Sequence, residues 1–272
     1  MMILEKTVEL VKQIYRYHKI IPPRVSKVVI GLGYTGVELE ALAYDPFLGL
    51  AYTMPGIIQN TDCSKIEFAG ELTNKKIFTE LLQWSYGSVD LKKIIGIATL
   101  NAVSQHILEI INPYQEIKGD LINFIKINNR SRVTFIGNIS PLVKQVSLLT
   151  KDITIVEENK KNSDFGNNFN IKRNIDELNE KELNSDVLFC TGTTLINNSI
   201  EEILHVFKKT ANYIILIGPT ASMIPDVLFD NGIDIVGGMK IFNTKATLKI
   251  IQEGGGTKLF KNHGKKYNFI KQ

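Results

Sequence analysis

The residues of this sequence best suited to chemistry are glycines that stand beside hydroxyl and amide side chains. Three short segments, at 137–141, 191–194 and 218–222, have this composition. A fourth, at 237–240, has glycines without a hydroxyl or amide side chain, and a lone acidic residue, Glu157, takes the corresponding place in a fifth. Glycine lets backbone amides face a ligand, and neutral hydroxyls and amides hydrogen-bond to polar groups without adding charge. The combination predicts a site for a small polar ligand, although the same residue types also make ordinary turns.

Each of these segments directly follows a short apolar run that is rich in β-branched residues. Runs without polar alternation are typical of strands buried on both faces. Helical segments or loops separate the runs, and this alternation predicts a doubly wound parallel sheet. The five runs lie at 132–136, 153–156, 187–190, 213–217 and 233–236. Because ligands bind outside the carboxyl ends of such strands, we expect the polar segments to meet at one edge of the sheet.

A glycine motif near the amino terminus has the pattern of a dinucleotide-binding loop. Residues 31–36 match G-x-G-x-x-G and follow an apolar run at 25–30. A dinucleotide site needs a helix directly after the glycines, because the pyrophosphate sits at the amino terminus of that helix. Residues 37–44 instead alternate in polarity at their start and then reach Asp45 and Pro46. The pattern favours a turn between two strands, with a nucleotide cradle as the alternative.

The elements before residue 112 differ from those after it. Helical periodicity at 3–18 precedes two short strands at 37–44 and 48–53, and further helices are predicted at 74–84 and 91–111. Asn112 and Pro113 then break the pattern. The expected fold class is therefore α/β, with an α+β domain over 1–112 followed by a doubly wound parallel sheet over 113–272.

Eight motifs of the sequence, in order, resemble those of the putative heavy-metal chelation family. They lie at 31–39, 95–102, 119–120, 136–143, 191–197, 217–220, 237–238 and 253–256. The resemblance implies an enolase N-terminal-like first domain, a Rossmann-like second domain and a site in the cleft between them. By the same resemblance, Tyr34, Thr35 and Asn101 face the strand-end loops across the cleft. The segment 138–140 departs from the family pattern, in which bulkier apolar residues are expected.

The predicted ligand-binding residues combine these three with the strand-end segments. They are Tyr34, Thr35, Asn101, Asn138, Ser140, Pro141, Glu157, Thr191, Gly192, Thr193, Thr194, Gly218, Pro219, Thr220, Gly237 and Gly238. The sequence assigns neither a catalytic residue nor a metal ligand.

Histidines and cysteines are poorly spaced for holding a bare metal ion. The four histidines are far apart in sequence, and Cys63 and Cys190 form no C-x-x-C pair. His106 and Glu109 are the nearest approach to a ligand pair, but their spacing is more typical of an ordinary contact on a helix surface. Since soft metals prefer thiolate and imidazole, a chelated heavy or transition metal, or a small polar ligand, is the better expectation.

Two functions of different class remain open at this point. The first is binding or handling of a heavy-metal chelate, or of its chelator, in the inter-domain cleft. The alternative is an enzyme that acts on a small polar substrate with a nucleotide-type cofactor. Glu157 lies twenty residues after Gly137, where a ribose-binding carboxylate is expected, although it also fits a charged strand end. In an enzyme, Asp120, Glu157 and Lys240 are the candidates for proton transfer.

Composition limits the class of protein and its partners. The chain has 272 residues, enough for about two domains, and a formal net charge of +4. Two cysteines far apart suggest reduced thiols, and no apolar run is long enough to span a bilayer, so we expect a cytoplasmic protein. Few of its cations are arginine and its lysines are distributed along the chain, so neither a nucleic-acid nor a membrane partner is expected. A homo-oligomer is compatible with the sequence.

Overall fold

The first part of the chain is a three-stranded antiparallel sheet with helices before and after it. The computed structural model describes residues 2–58, 64–158 and 169–272. Helix α1 (Ile3–Tyr17) precedes strands β1 (Arg24–Ile30), β2 (Tyr34–Glu40) and β3 (Phe47–Tyr52), which pair in that order. The glycine motif makes the β1–β2 turn, where the Gly31 amide donates to the Tyr34 carbonyl at 3.0 Å. No helix follows the motif, so its interpretation as a strand turn is confirmed.

A long buried helix, α3 (Leu91–Ile110), packs against this sheet. It follows a π-helical turn at Ile77–Leu81 and the short α2 (Leu82–Trp84), which replace the regular helix predicted at 74–84. The Asp90 side chain caps α3 by accepting from the Lys93 amide. Sixteen of the twenty α3 residues are buried. A helix that is apolar on most sides needs partners all around it, and α3 has the sheet on one side and the rest of the chain on the other.

The rest of the chain forms an eight-stranded mixed sheet in which the six consecutive strands from β10 to the edge strand β7 are parallel. The strand order is β4-β11-β10-β9-β8-β5-β6-β7, with β11 antiparallel to both β10 and β4. The strands are β4 (Gln115–Glu116), β5 (Val133–Ile136), β6 (Ile153–Val156), β7 (Asn170–Lys172), β8 (Val187–Thr191), β9 (Tyr213–Ile217), β10 (Ile235–Ile241) and β11 (Gly264–Ile270). The doubly wound parallel sheet is therefore confirmed, while β4, β7 and β11 were not predicted.

Short helices connect these strands. They are α4 (Leu121–Ile125), α5 (Ser140–Val146), α6 (Glu180–Leu183), α7 (Ile200–Phe207), α8 (Asp226–Asp230), α9 (Thr244–Gln252) and α10 (Thr257–Phe260). Within the described ranges, no helix combines the length and the apolar character that crossing a membrane requires.

One strand runs further than its sequence pattern suggested. We predicted that the fifth strand ends at Val236 and that Gly237 and Gly238 lie in a loop, but both glycines are inside β10. Gly237 pairs with Asn268 of β11 and with Ile217 of β9, and Gly238 pairs with Tyr267. The prediction was wrong because glycine ordinarily ends strands, whereas here the Tyr267 and Ile217 side chains lie where β-carbons would be.

The two parts share one apolar core. The largest buried cluster includes Val8 and Leu100 from the first part and Leu204 and Met223 from the second. Strand β4, at Gln115–Glu116, is the first element that joins the larger sheet. The division at 112 and 113, and the likeness of the first part to enolase N-terminal domains, stay predictions.

Candidate functional site

The carboxyl ends of β5 and β8 form the point where the sheet changes direction. From β5 the chain builds β6 and β7 on one side, and it then returns to build β8, β9 and β10 on the other. In open α/β sheets this switch point is where ligands bind. Gly137, which follows β5, has φ +86°, and a β-carbon there would lie 2.5 Å from Thr191 Cγ2 at the end of β8. The two predicted loops therefore touch, and Gly137 must be glycine.

The loop after β5 is tied to the end of β6 by a carboxylate. The Asn138 amide donates to Glu157 Oε2 at 2.8 Å, and the Ser140 hydroxyl donates to Asn138 Oδ1 at 2.7 Å. Asn138 and Pro141 are exposed, whereas Ser140 and Glu157 are half-buried. Glu157 thus occupies the amide that would face a phosphate in a dinucleotide site, and it places negative charge there.

The loop after β8 contributes hydroxyls from two half-buried threonines. Thr191 Oγ1 lies 3.3 Å from Thr193 Oγ1 and 3.5 Å from the Thr193 amide. Thr194 is buried, and its hydroxyl donates to the Thr191 carbonyl at 2.8 Å. Gly192 is also buried, and a β-carbon there would lie 2.9 Å from the Ala221 amide nitrogen. Thr191 and Thr193 can meet a ligand, and Gly192 and Thr194 shape the loop.

The loop after β9 joins the first part of the chain through buried hydrogen bonds. Asn101 Nδ2 donates to the Leu50 carbonyl at 2.8 Å and to the Thr220 carbonyl at 2.9 Å. The Thr220 hydroxyl accepts from the Tyr52 amide at 3.0 Å. Asn101 therefore faces this loop, as the resemblance implies, but it contacts the loop directly and does not face it across a cleft. Asn101 Oδ1 has no hydrogen-bond partner among the described residues.

Tyr34 belongs to the same join. Its hydroxyl accepts from Thr257 Oγ1 at 2.9 Å, and its ring lies edge-on to Phe260, 5.1 Å between centroids. Burial raises the pKa of Tyr34, an effect that the Thr257 hydrogen bond opposes. Thr35 is fully buried and bonds to Thr53 through their hydroxyls at 3.2 Å. Thr257 and Tyr52 were not predicted from the sequence, although the glycines at 254–256 directly before Thr257 were a signal for that residue.

The structure therefore divides the predicted residues into four groups. At the β5–β8 switch point, beside Gly137, lie Asn138, Ser140, Pro141, Glu157, Thr191 and Thr193. In the join between the two parts lie Tyr34, Thr35, Asn101, Gly218, Pro219 and Thr220. Gly192 and Thr194 support the loops from within, and Gly237 and Gly238 belong to the β10 ladder.

A pocket of about 250 Å³ opens at the other edge of the sheet, where β5 and β6 begin. Its walls include Thr134, Thr154, Asn170 and Glu182, and these groups are hydrogen-bonded to one another or to Ser185. These four side chains therefore form a polar network in the wall of this pocket.

Sequence comparison bears on the whole chain. Residues 120–270 match the profile of the DUF364 family and residues 17–104 match that of DUF4213, and both are described as putative heavy-metal chelation. The chain belongs to the putative heavy-metal chelation family. An uncharacterised protein of Methanocaldococcus jannaschii is 27% identical over 181 residues, and the match spans 65% of each chain, somewhat under two thirds of that relative's length.

Solved structures of the family show the same fold. A protein of unknown function from Pyrococcus horikoshii superposes with a TM-score of 0.77 at 21% identity, covering 99% of this chain and 100% of that one. A second, from Desulfitobacterium hafniense, gives a TM-score of 0.69 at 15% identity, covering 98% of this chain and all of its own. Both belong to the DUF364 family.

The family description raises the question of direct metal ligands. Across the ranges 2–58, 64–158 and 169–272, the side chains of His, Cys, Asp and Glu form no group of three or more that could hold an ion. His106 is buried with Nδ1 2.7 Å from the Tyr15 hydroxyl, and burial lowers its pKa. Glu109 pairs instead with Lys240, so His106 and Glu109, the nearest approach to a ligand pair in the sequence, do not act together.

The other candidate groups are also engaged in the structure. Asp120 caps α4 and accepts from Gln145 Nε2 at 3.1 Å, and these hydrogen bonds lower the pKa of its carboxyl. Cys190 is a free thiol within β8, and burial raises its pKa. Cys63 lies outside the described residues. Of the three groups considered for proton transfer, Glu157 alone stands at the switch point.

Proposed function

We propose that this protein binds a metal chelate, or the chelator itself, at the β5–β8 switch point. The observation that carries the proposal is the set of polar groups there. They are the Thr191 and Thr193 hydroxyls, the side-chain amide of Asn138 and the Glu157 carboxylate. These groups hydrogen-bond to a polar organic ligand through both donors and acceptors. The family's description supports a metal-related ligand.

The ligand set favours a complexed metal over a bare ion. One carboxylate and two hydroxyls are too few to fill the coordination shell of a transition metal, and such metals prefer imidazole and thiolate. In this proposal the metal arrives with its own ligands, and the protein recognises the outside of the complex.

The alternative, a nucleotide-type cofactor, has less support from the residues present. A pyrophosphate needs free amides and close backbone approach at the first strand-to-helix turn. Here the Asn138 amide already donates to Glu157. The turn contains a single glycine, Gly137, and Pro141 lies in the first turn of α5. A fixed carboxylate at that position repels phosphate, so these residues do not fit the group.

The test compares complexes, bare salts and cofactors on the intact chain. Thermal unfolding is followed with ferrioxamine B, a cationic ferric hydroxamate complex that the Glu157 carboxylate does not repel, with free desferrioxamine B, with ferric, nickel and zinc salts, and with nicotinamide cofactors. We expect ferrioxamine B or desferrioxamine B to raise Tm, and the Thr191→Val/Thr193→Val variant to lose most of that rise because Val keeps the shape and removes the hydroxyls. Thr210→Val is the matched control, since Thr210 follows α7 on the side where β9 begins.

Native mass spectrometry of protein purified without chelators provides a second measurement. A bound complex that is absent from the double variant supports the proposal. Stabilisation by nicotinamide cofactors with no response to ferrioxamine B or desferrioxamine B, or equal responses in the double variant and the wild type, contradicts it.

A further inference from the structure

The positive charge of the chain is concentrated in its last part. Residues 240–272 contain eight lysines, one glutamate and neither aspartate nor arginine, a net charge of +7. Since the whole chain carries +4, the other residues sum to −3. The lysines that looked distributed in the sequence are therefore strongly biased toward α9, α10 and β11.

Four of these lysines lie on the outward side of one structural unit. Helix α9 buries Thr247, Leu248 and Ile251 and exposes Lys245 and Lys249, one turn apart. Helix α10 and the turn after it add the exposed Lys258 and Lys261. Among the described residues, no carboxylate lies within 4.0 Å of any of these four amines.

Folding stability does not favour every one of these positions. Lys245 is the second residue of α9, where the positive end of the helix dipole disfavours a cation, and it repels Lys249 at the i,i+4 spacing. Lys249 lies in the last turn of α9, where the dipole favours a cation. The position of Lys245 therefore costs a little stability, and we expect its benefit in binding.

Large apolar side chains are exposed beside the same lysines. Leu259 is 59% exposed and Leu32, in the β1–β2 turn, is 77% exposed. Both approach the triple-glycine loop, since β-carbons at Gly254 and Gly255 would lie 3.6 Å from Leu32 Cδ1 and 3.1 Å from Leu259 Cδ1. Phe242, directly before α9, is 66% exposed. We call these three side chains and the four lysines the basic cap.

We propose that the basic cap docks the protein on the surface of an anionic lipid bilayer. Lysines held near such a surface are attracted by its negative potential, and exposed Phe and Leu side chains enter the headgroup region. Nucleic-acid surfaces usually rely on Arg for bidentate contacts, and the last 33 residues contain none. This peripheral contact departs from the sequence expectation of no membrane partner, and it requires no spanning helix.

Vesicle cosedimentation of the full chain tests the proposal. The vesicles contain one part phosphatidylglycerol to two parts phosphatidylcholine, with pure phosphatidylcholine as the neutral comparison. We expect binding to the anionic vesicles that weakens as salt is added. The Lys245→Gln/Lys258→Gln variant should bind roughly 25-fold more weakly, since each lysine near the surface contributes about a fivefold factor.

Two further variants make the test specific. Lys151→Gln/Lys181→Gln removes the same charge from exposed lysines at the opposite edge of the sheet. Its binding to anionic vesicles should stay within about twofold of the binding expected from its lower net charge, because these lysines are not part of the basic cap. Leu259→Ser should weaken binding to vesicles and leave binding to heparin unchanged. The proposal is overturned if anionic vesicles are not bound at low salt, if both lysine pairs have equal effects, or if Leu259→Ser has no effect on vesicles.

Discussion

At the scale of single residues, His106 is the clearest link between burial and chemistry. It is 2% exposed, and the rings of Tyr15, Phe47 and Tyr44 surround it at centroid distances of 5.0 to 5.7 Å. Burial lowers its pKa because the charged imidazolium is disfavoured away from water. The unfolded chain therefore takes up a proton at a higher pH than the folded chain does.

Acidification should consequently destabilise the protein through His106. Above the ordinary histidine pKa of about 6.5, the contribution of neutral His106 to the free energy of unfolding is constant. That contribution is lost as the pH falls from there toward the lowered pKa of His106 in the folded chain. In His106→Gln, we expect the free energy of unfolding, measured with urea, to differ less between pH 7.5 and pH 5.5 than it does in the wild type. We also expect about 1 kcal/mol lower stability at pH 7.5, because the hydrogen bond to Tyr15 is altered. His205→Gln, at an exposed position on α7, is the control. A pH difference unchanged in His106→Gln would contradict the argument.

At the scale of elements, the sequence predicted what local patterns determine and missed what tertiary contacts determine. The five parallel strands were found because each is an uninterrupted apolar run. The extension of β10 through Gly237 and Gly238 depends on β11, whose own polar residues gave no strand pattern. For the site, the β5 and β8 loops were predicted from their glycines and hydroxyls. The Glu157–Asn138 bond could not be, because it depends on how two loops approach each other in space.

The approach of β3 to α3 gives a prediction at this scale. A β-carbon at Gly49 would lie 2.0 Å from the Ala98 carbonyl oxygen and 2.2 Å from the Ala102 amide nitrogen. Because both are backbone atoms, Gly49→Ala must move the strand away from the helix, and we expect a loss of about 3 kcal/mol or more in chemical unfolding. Gly256→Ala, where a β-carbon meets nothing within 4 Å, should change stability by less than about 0.5 kcal/mol. Equal effects of the two substitutions would show that the close approach is absent in solution.

At the scale of the whole molecule, the shared core determines how the protein unfolds. Buried residues of α1 and α3 belong to the same cluster as those of α7 and α8. Gln105 Nε2 also reaches across, donating to the Ser222 carbonyl and to the Tyr267 hydroxyl, each at 2.9 Å. Separating the two parts would expose this apolar surface and leave these polar groups without partners.

We therefore expect the full chain to unfold in one cooperative transition. Trp84, the single tryptophan, reports on the first part, and far-ultraviolet circular dichroism reports on the helices and strands of both. The two signals should give the same midpoint and slope in urea. A fluorescence transition that clearly precedes or follows the dichroism transition would mean that the two parts unfold independently.

The burial of α3 also matters during synthesis on the ribosome. The helix is complete once residue 110 has been added, but residues of the second part that it contacts, including Thr220 and Ser222, are added about 100 residues later. At about 5–20 residues per second, the side of α3 that faces away from the first sheet stays uncovered for on the order of ten seconds. The first part of this protein is therefore an expected client of the chaperones that bind chains as they emerge.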